Sequence, residues 1–266
     1  VCVHANPSWS FYFHRIIREF AATHRVIVPD HIGMGRSDAP RPGQYDFHFE
    51  QRVDDLDALL GELLSDELPD QKITLVVHDW GGIIGLRYAL RHPERIGRLV
   101  VLNTAAFPLL KGKQLPWQIA LVRNSKIGAW ACTQWNAFAL GAAWFGVVRP
   151  QNPELRKALL EPYKDADRRR TILEFVRDIP LHALDRGYSE LVQTEQQLKR
   201  LKDKPMLLLW GLRDFVFDAD YYHEFARRFP DARKVPLSDA GHYVLFDQPE
   251  RCTQEIRDFI AQTSPA

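Results

Sequence analysis

One short stretch constrains this chain more than any other. The largely β-branched run from Ile73 to Val77 ends abruptly in His78-Asp79-Trp80-Gly81-Gly82. Beyond it, Ile83, Ile84, Leu86, Tyr88 and Leu90 carry a helix-like apolar pattern as far as His92-Pro93. That is strand, tight turn, helix. Small residues after such a turn let helix and strand approach closely, which is the use of Gly81 and Gly82. The residue at the tip of the turn is Asp79.

An aspartate there narrows the chemistry. A serine that attacks saturated carbon leaves an ether, which water does not readily cleave. A carboxylate leaves an ester, and a histidine-activated water can open it at the aspartyl carbonyl. Asp79 therefore points to alkyl transfer: halide displacement, epoxide opening or attack on a strained ring. The plainer alternative is an aspartate that only caps the following helix.

The length of 266 residues suits one large α/β domain, or a core with an insertion. A net charge of +1 gives no reason to expect nucleic acid or an acidic membrane surface as a partner. The run Arg168-Arg169-Arg170, flanked by Asp165 and Asp167, reads as a solvated helix face. Cys2, Cys132 and Cys252 are far apart and odd in number. They have no metal or disulfide spacing and fit a reducing, cytoplasmic compartment. No stretch is apolar for long enough to span a membrane, and none reads as a signal peptide. Neither a metal nor a cofactor is expected.

Taken in order, Val1-Cys2-Val3 reads as the end of a strand, so the chain reads as beginning inside its fold, with earlier strands missing. Phe11, Phe13, Ile16, Ile17 and Phe20 form a helix face. Arg25 to Val28 reads as a buried strand, followed by a turn-rich loop marked by Gly33 and Gly35. Val53, Leu56, Leu59, Leu60 and Leu63 make a helical stripe between Phe49 and Leu64. Arg98 to Asn103 is another strand. The alternation predicts a parallel sheet with helices on both faces. Between 108 and 204 no strand is convincing, and aromatics crowd in: Trp117, Trp130, Trp135, Trp144, Tyr163 and Phe175 among them. This reads as a helical cap inserted after the strand that ends near Asn103. It divides the core into 1–107 and 205–266. Strand pattern resumes at Pro205 to Trp210. A helix from Ala219 to Phe229, a short strand near Arg233 and a last helix from Pro249 to Gln262 complete the chain.

An Asp nucleophile needs a base to release its ester. His242 follows the last strand in a turn, Asp239-Ala240-Gly241-His242, that can aim an imidazole across the strand tops. Asp214, just past the preceding strand end, is the acid that orients it. Carboxyl-end loops are where open parallel sheets place their sites. The backbone N–H groups of Asn6 and Trp80 suit a tetrahedral oxyanion. Their side chains, an amide and an indole N–H, are uncharged donors for a departing anion. The plainer readings are core packing for Trp80 and a turn before Pro7 for Asn6.

These residues carry a resemblance. The segments His4 to Ser10, Pro29 to Asp38 and Val77 to Gly82 resemble the haloalkane dehalogenases of the α/β-hydrolase superfamily. The resemblance implies Asp79 as nucleophile, Trp80 and Asn6 as the anion-holding pair, His242 as base and Asp214 as acid. The order nucleophile, acid, histidine is that of the superfamily. A subgroup with its acid after an earlier strand would need Glu near Asn103. Ala5 departs from the usual Gly, and its Cβ would disturb the oxyanion loop if its φ were positive.

A narrower resemblance competes and ranks first. Leu102 to Phe107, Lys111 to Trp117, Phe175 to Leu181 and Trp210 to Asp218 resemble the β-lactone decarboxylases of bacterial long-chain olefin biosynthesis. That resemblance implies a cis-β-lactone as substrate, carbon dioxide and a cis-alkene as products, and association with a β-lactone synthetase. A hydrophobic substrate would meet Phe107, Trp117 and Phe215. An epoxide hydrolase would want cap tyrosines, for which Tyr163 and Tyr188 are available. A binding protein on the same scaffold would need neither Asp79 nor His242.

Overall fold

The computed structural model describes residues 1–65 and 71–264. Five parallel strands form one sheet in sequence order: β1 (Cys2–Val3), β2 (Ile73–His78), β3 (Ile96–Leu102), β4 (Met206–Gly211) and β5 (Arg233–Leu237). Parallel neighbours cannot be joined by hairpins, so every connection is a crossover. Helices α1 (His14–Phe20) and α2 (Phe49–Leu63) lie between β1 and β2, and α3 (Trp80–Arg91) lies between β2 and β3. Among the described residues, six α-helices separate β3 from β4: α4 (Trp117–Asn124), α5 (Lys126–Trp135), α6 (Ala137–Phe145), α7 (Pro153–Leu160), α8 (Ala166–Arg177) and α9 (Tyr188–Gln197). Helix α10 (Ala219–Arg228) leads to β5, and α11 (Val244–Asp247) and α12 (Pro249–Gln262) end the fold.

The central strands are runs of Leu and Val buried on both faces, which is why they read as continuous apolar stretches. Leu75, Val77, Leu99 to Leu102 and Leu207 to Leu209 form the middle of the core. Helix α12 is amphipathic: Cys252, Ile256 and Phe259 are buried at helical spacing. Among the described residues, no strand occurs between Leu102 and Met206. Several helices there start at local caps. Ser125 accepts from Gly128 N, Asn152 from Glu154 N and Asp165 from Asp167 N.

Three expectations change. Arg25 to Val28 is not a regular strand, although Cys2 N donates to Ile27 O at 2.9 Å. Arg168, Arg169 and Arg170 are half-buried rather than freely solvated. Arg168 Nη1 donates to Ser37 O at 2.8 Å, Arg169 Nη1 to Tyr163 O at 3.0 Å and Arg170 Nη2 to Pro40 O at 3.0 Å. The run therefore fastens α8 to its neighbours. Finally, the aromatics between β3 and β4 divide: Tyr163 and Phe175 are buried, while Trp117, Trp130, Trp135, Trp144 and Phe145 face outward.

Candidate active site

All five strands run the same way, so Asn6, Asp79, Asn103, Asp214 and His242 all follow carboxyl ends of strands. Asp79 has φ 51° and ψ −121°, a left-handed conformation for a residue with a Cβ. Such strain costs about 1–3 kcal/mol and persists only where neighbours enforce it. Here Asp79 N donates to Asn103 O at 3.0 Å, and Gly82 N to Asp79 O at 2.8 Å. The Thr104 hydroxyl also donates to Asp79 O, at 2.5 Å. The close approach explains the glycines: a Cβ on Gly81 would lie 2.0 Å from Val3 O. Asp79 stands at the N-cap position of α3, yet its side chain makes no capping bond, so the plain capping alternative fails.

The carboxylate faces the site instead. Asn6 N donates to Asp79 Oδ1 at 2.9 Å, and the Trp80 backbone N–H beside the carboxylate favours its charged form. His242 Nε2 lies 3.9 Å from Asp79 Oδ2. Burial pushes the Asp79 carboxyl up to about 6, against the opposing pull of His242 and of the two N–H donors.

His242 is held on three sides. Its Nδ1 meets Asp214 Oδ2 at 2.8 Å. Facing a carboxylate, Nδ1 carries a proton, and Nε2 is turned toward Asp79. The buried His78 bonds through Nε2 to His242 O at 2.9 Å. Gly241 N donates to Asp247 Oδ2 at 2.7 Å and fixes the turn. Burial alone would lower the His242 pKa, but Asp214 and Asp79 together raise it. Asp214 is 2% exposed. Its Oδ1 accepts Val216 N at 2.7 Å, and its Oδ2 also accepts Asn103 Nδ2 at 2.9 Å. Asn103, legible in the sequence only as the place of an alternative acid, is the residue that holds Asp214. The hydroxyl of Thr104 and the ring of His78 were equally silent. The signal that marks all three is adjacency to a strand end.

Asn6 Nδ2 donates to Ile172 O at 3.2 Å, and its Oδ1 is buried without a partner. Ala5 has no positive φ, so its Cβ sits in the core without strain. Above Asp79 a cavity of about 170 Å³ is lined by Asn6, Trp80, Phe107, Ile119, Phe138 and Phe215, among others. Trp117 is not among them; it stands 71% exposed at the start of α4. Tyr163 and Tyr188 do not line it either, and the Tyr163 hydroxyl is committed to Ser8 O at 2.5 Å. A larger cleft of about 1050 Å³ lies at the strand starts, beside Ile73 and Arg98, and holds none of these groups. Size therefore does not mark the site; the carboxylate, imidazole and donors do.

The alpha/beta hydrolase fold family matches residues 1–249. A protein named cis-3-alkyl-4-alkyloxetan-2-one decarboxylase from Xanthomonas campestris is 42% identical, covering 98% of this chain and 87% of its own. A protein of the same name from Shewanella oneidensis is also 42% identical, over 99% of this chain and 82% of its own. The crystal structure of haloalkane dehalogenase DbeA from Bradyrhizobium elkani superposes with a TM-score of 0.81 at 23% identity, covering 98% of this chain and 88% of that one, a likeness of fold. The chain belongs to the alpha/beta hydrolase fold family.

Proposed function

We propose that this protein is a cis-β-lactone decarboxylase with Asp79 as nucleophile, and that residues 108–204 form its cap. The observation that carries the reading is the buried Asp79 carboxylate, strained onto the cavity floor and facing His242 with no capping duty. The two relatives that are 42% identical bear the name of that activity.

The steps balance without water. Asp79 Oδ2 attacks the saturated ring carbon that bears the ring oxygen. The carbon–oxygen bond breaks, and its electron pair leaves on the former lactone carboxylate. Trp80 and Asn6 supply uncharged donors toward that developing anion. Next the carbon–carbon bond to the carboxylate breaks, its electrons form the alkene, and Asp79 departs as a carboxylate while carbon dioxide is released. Inversion at the first step followed by anti elimination converts a cis-lactone into a cis-alkene. His242, its positive charge favoured by Asp214, stabilises Asp79 as it leaves. Strain in the four-membered ring and an apolar cavity, in which a carboxylate is poorly solvated, favour both steps.

One observation favours a second reading, haloalkane dehalogenation. Asn6 N donates to Asp79 Oδ1, and the Trp80 N–H beside it also favours the carboxylate, which suits the hydrolysis of an aspartyl ester. In that reaction Asp79 displaces halide and His242 activates the water. Three buried, unpaired cysteines support a reducing compartment for either enzyme. A lactone with two alkyl chains is poorly soluble, which supports transfer from a β-lactone synthetase. Incubation with a dialkyl cis-β-lactone and, separately, with brominated alkanes separates the readings. Alkene without bromide turnover is expected; multiple-turnover bromide release without alkene would reassign the protein.

A further inference from the structure

Arg52, on α2, is a cation that is 2% exposed. Its Nη1 meets Asp178 Oδ2 at 2.9 Å, and Asp178 Oδ1 meets His48 Nδ1 at 2.9 Å. Its guanidinium carbon lies 3.6 Å from the centre of the Phe175 ring and 5.2 Å from that of Trp80. Nε and Nη2 are buried with no hydrogen-bond acceptor. A buried guanidinium ordinarily gathers acceptors for its donors, and each one left unmade costs about 1–3 kcal/mol.

A simple clamp between core and cap would need only the Asp178 ion pair. It would not need the guanidinium beside two aromatic rings with two nitrogens unsatisfied. Of the two rings, Trp80 lines the cavity above Asp79 and Phe175 packs behind it. Phe175 meets Trp80 edge-on, with centroids 5.3 Å apart and planes at 82°. Ile172, three residues before Phe175 on α8, accepts Asn6 Nδ2 through its carbonyl. Helix α8 thus touches both uncharged donors of the site, and Arg52 is pinned to Asp178 just past its end.

We propose that Arg52 is a positioning residue that strengthens the anion grip of Trp80. A cation within about 6 Å of an aromatic ring is attracted by its π density. Drawing that density away from the indole makes its N–H a stronger donor. Arginine keeps its charge at any working pH, so the effect is permanent. This rests on the reading of Trp80 as the holder of a developing carboxylate, and it adds the residue that sets how tightly Trp80 holds it.

The test uses bromide as the anion, titrated calorimetrically, alongside alkene formation from a cis-β-lactone. The variant Arg52→Met with Asp178→Asn removes both charges at near-constant volume and leaves no lone buried carboxylate. Its bromide affinity is expected to fall at least about fivefold and its kcat about tenfold, with KM within about threefold. Arg52→Lys keeps the charge and is expected to recover at least half of the lost affinity. Trp80→Phe is expected to abolish bromide binding. A double variant that melts cooperatively and binds bromide as the wild type does overturns the proposal, even if kcat falls. So does a wild type that binds no bromide. Should the double variant not fold, Arg52→Gln with Asp178→Asn, which removes both charges and keeps a hydrogen bond between the two side chains, decides in its place: about a fivefold loss of bromide affinity supports the proposal, and affinity equal to wild type overturns it. A wild type that makes no alkene, with bromide binding that still weakens in the double variant, would sink the decarboxylase reading and leave Arg52 standing.

Discussion

Asn103 Nδ2 lies 2.9 Å from Asp214 Oδ2, the same oxygen that His242 Nδ1 meets at 2.8 Å. The amide also bridges two strand ends, donating to Gly211 O at 2.9 Å and accepting Gly211 N at 2.8 Å. One side chain therefore fixes the acid, and through it the imidazole. Asn103→Leu is expected to lower kcat about tenfold to a hundredfold with a smaller change in KM, because the imidazole loses its orientation. Steady-state kinetics on the lactone would check it, and an unchanged kcat would remove Asn103 from the account.

As the proposed nucleophile, Asp79 would have to be ionised to attack, and its carboxyl is pushed up to about 6. The value of kcat/KM is expected to rise through about pH 6 in the free enzyme. A pH profile already flat from pH 4.5 upward would show that Asp79 is not held as the structure implies.

The same shift affects stability. A carboxyl whose folded pKa lies above its unfolded value of 3.8 stabilises the fold while neutral, and that contribution is lost as pH rises through about 6. Asp79→Asn removes the burden. It is expected to raise stability at pH 8 by on the order of 2–3 kcal/mol, with the gain vanishing near pH 4. Melting curves at the two pH values would check both the sign and the window.

Gly81 leaves no room for a methyl group, since the obstacle 2.0 Å away is the Val3 backbone carbonyl, which cannot swing aside. Gly81→Ala is expected to destabilise the protein by about 2–4 kcal/mol and to displace Asp79. Denaturant unfolding with an unchanged midpoint would contradict this.

Phe107 and Phe215 line the cavity, whereas Trp117 projects away from the fold. Trp117→Ala is expected to leave kcat/KM within about twofold, and Phe215→Ala to raise KM severalfold without altering kcat as much. A panel of lactones of graded chain length would show the contrast.

Much of this arrangement is legible in the sequence, for a physical reason. Asp79 and Asp214 each follow an apolar run that reads as a buried parallel strand, His242 follows the short strand Arg233–Leu237, and parallel strands gather their carboxyl ends at one edge. Chain order and polarity therefore suffice to bring the three together. What side chains do across the fold is not periodic and leaves no such trace. Asn103 and His78 look like ordinary polar punctuation, although one holds Asp214 and the other the His242 carbonyl. Arg52 sits in a helical stripe whose charges all look solvated, yet it is buried against Phe175. Trp117 misleads in the opposite sense, because a large apolar residue in an aromatic-rich stretch invites a role in the cavity that its outward position denies.

The claim that matters most is that Asp79 forms the bond that opens the lactone. The most direct measurement is alkene formation from a dialkyl cis-β-lactone by the wild type and by Asp79→Asn, followed by gas chromatography. The wild type is predicted to give cis-alkene and carbon dioxide in equal amounts, and Asp79→Asn to fall by about a thousandfold or more. Alkene formation by Asp79→Asn within tenfold of the wild type, or a wild type that yields only the β-hydroxy acid, would contradict the account.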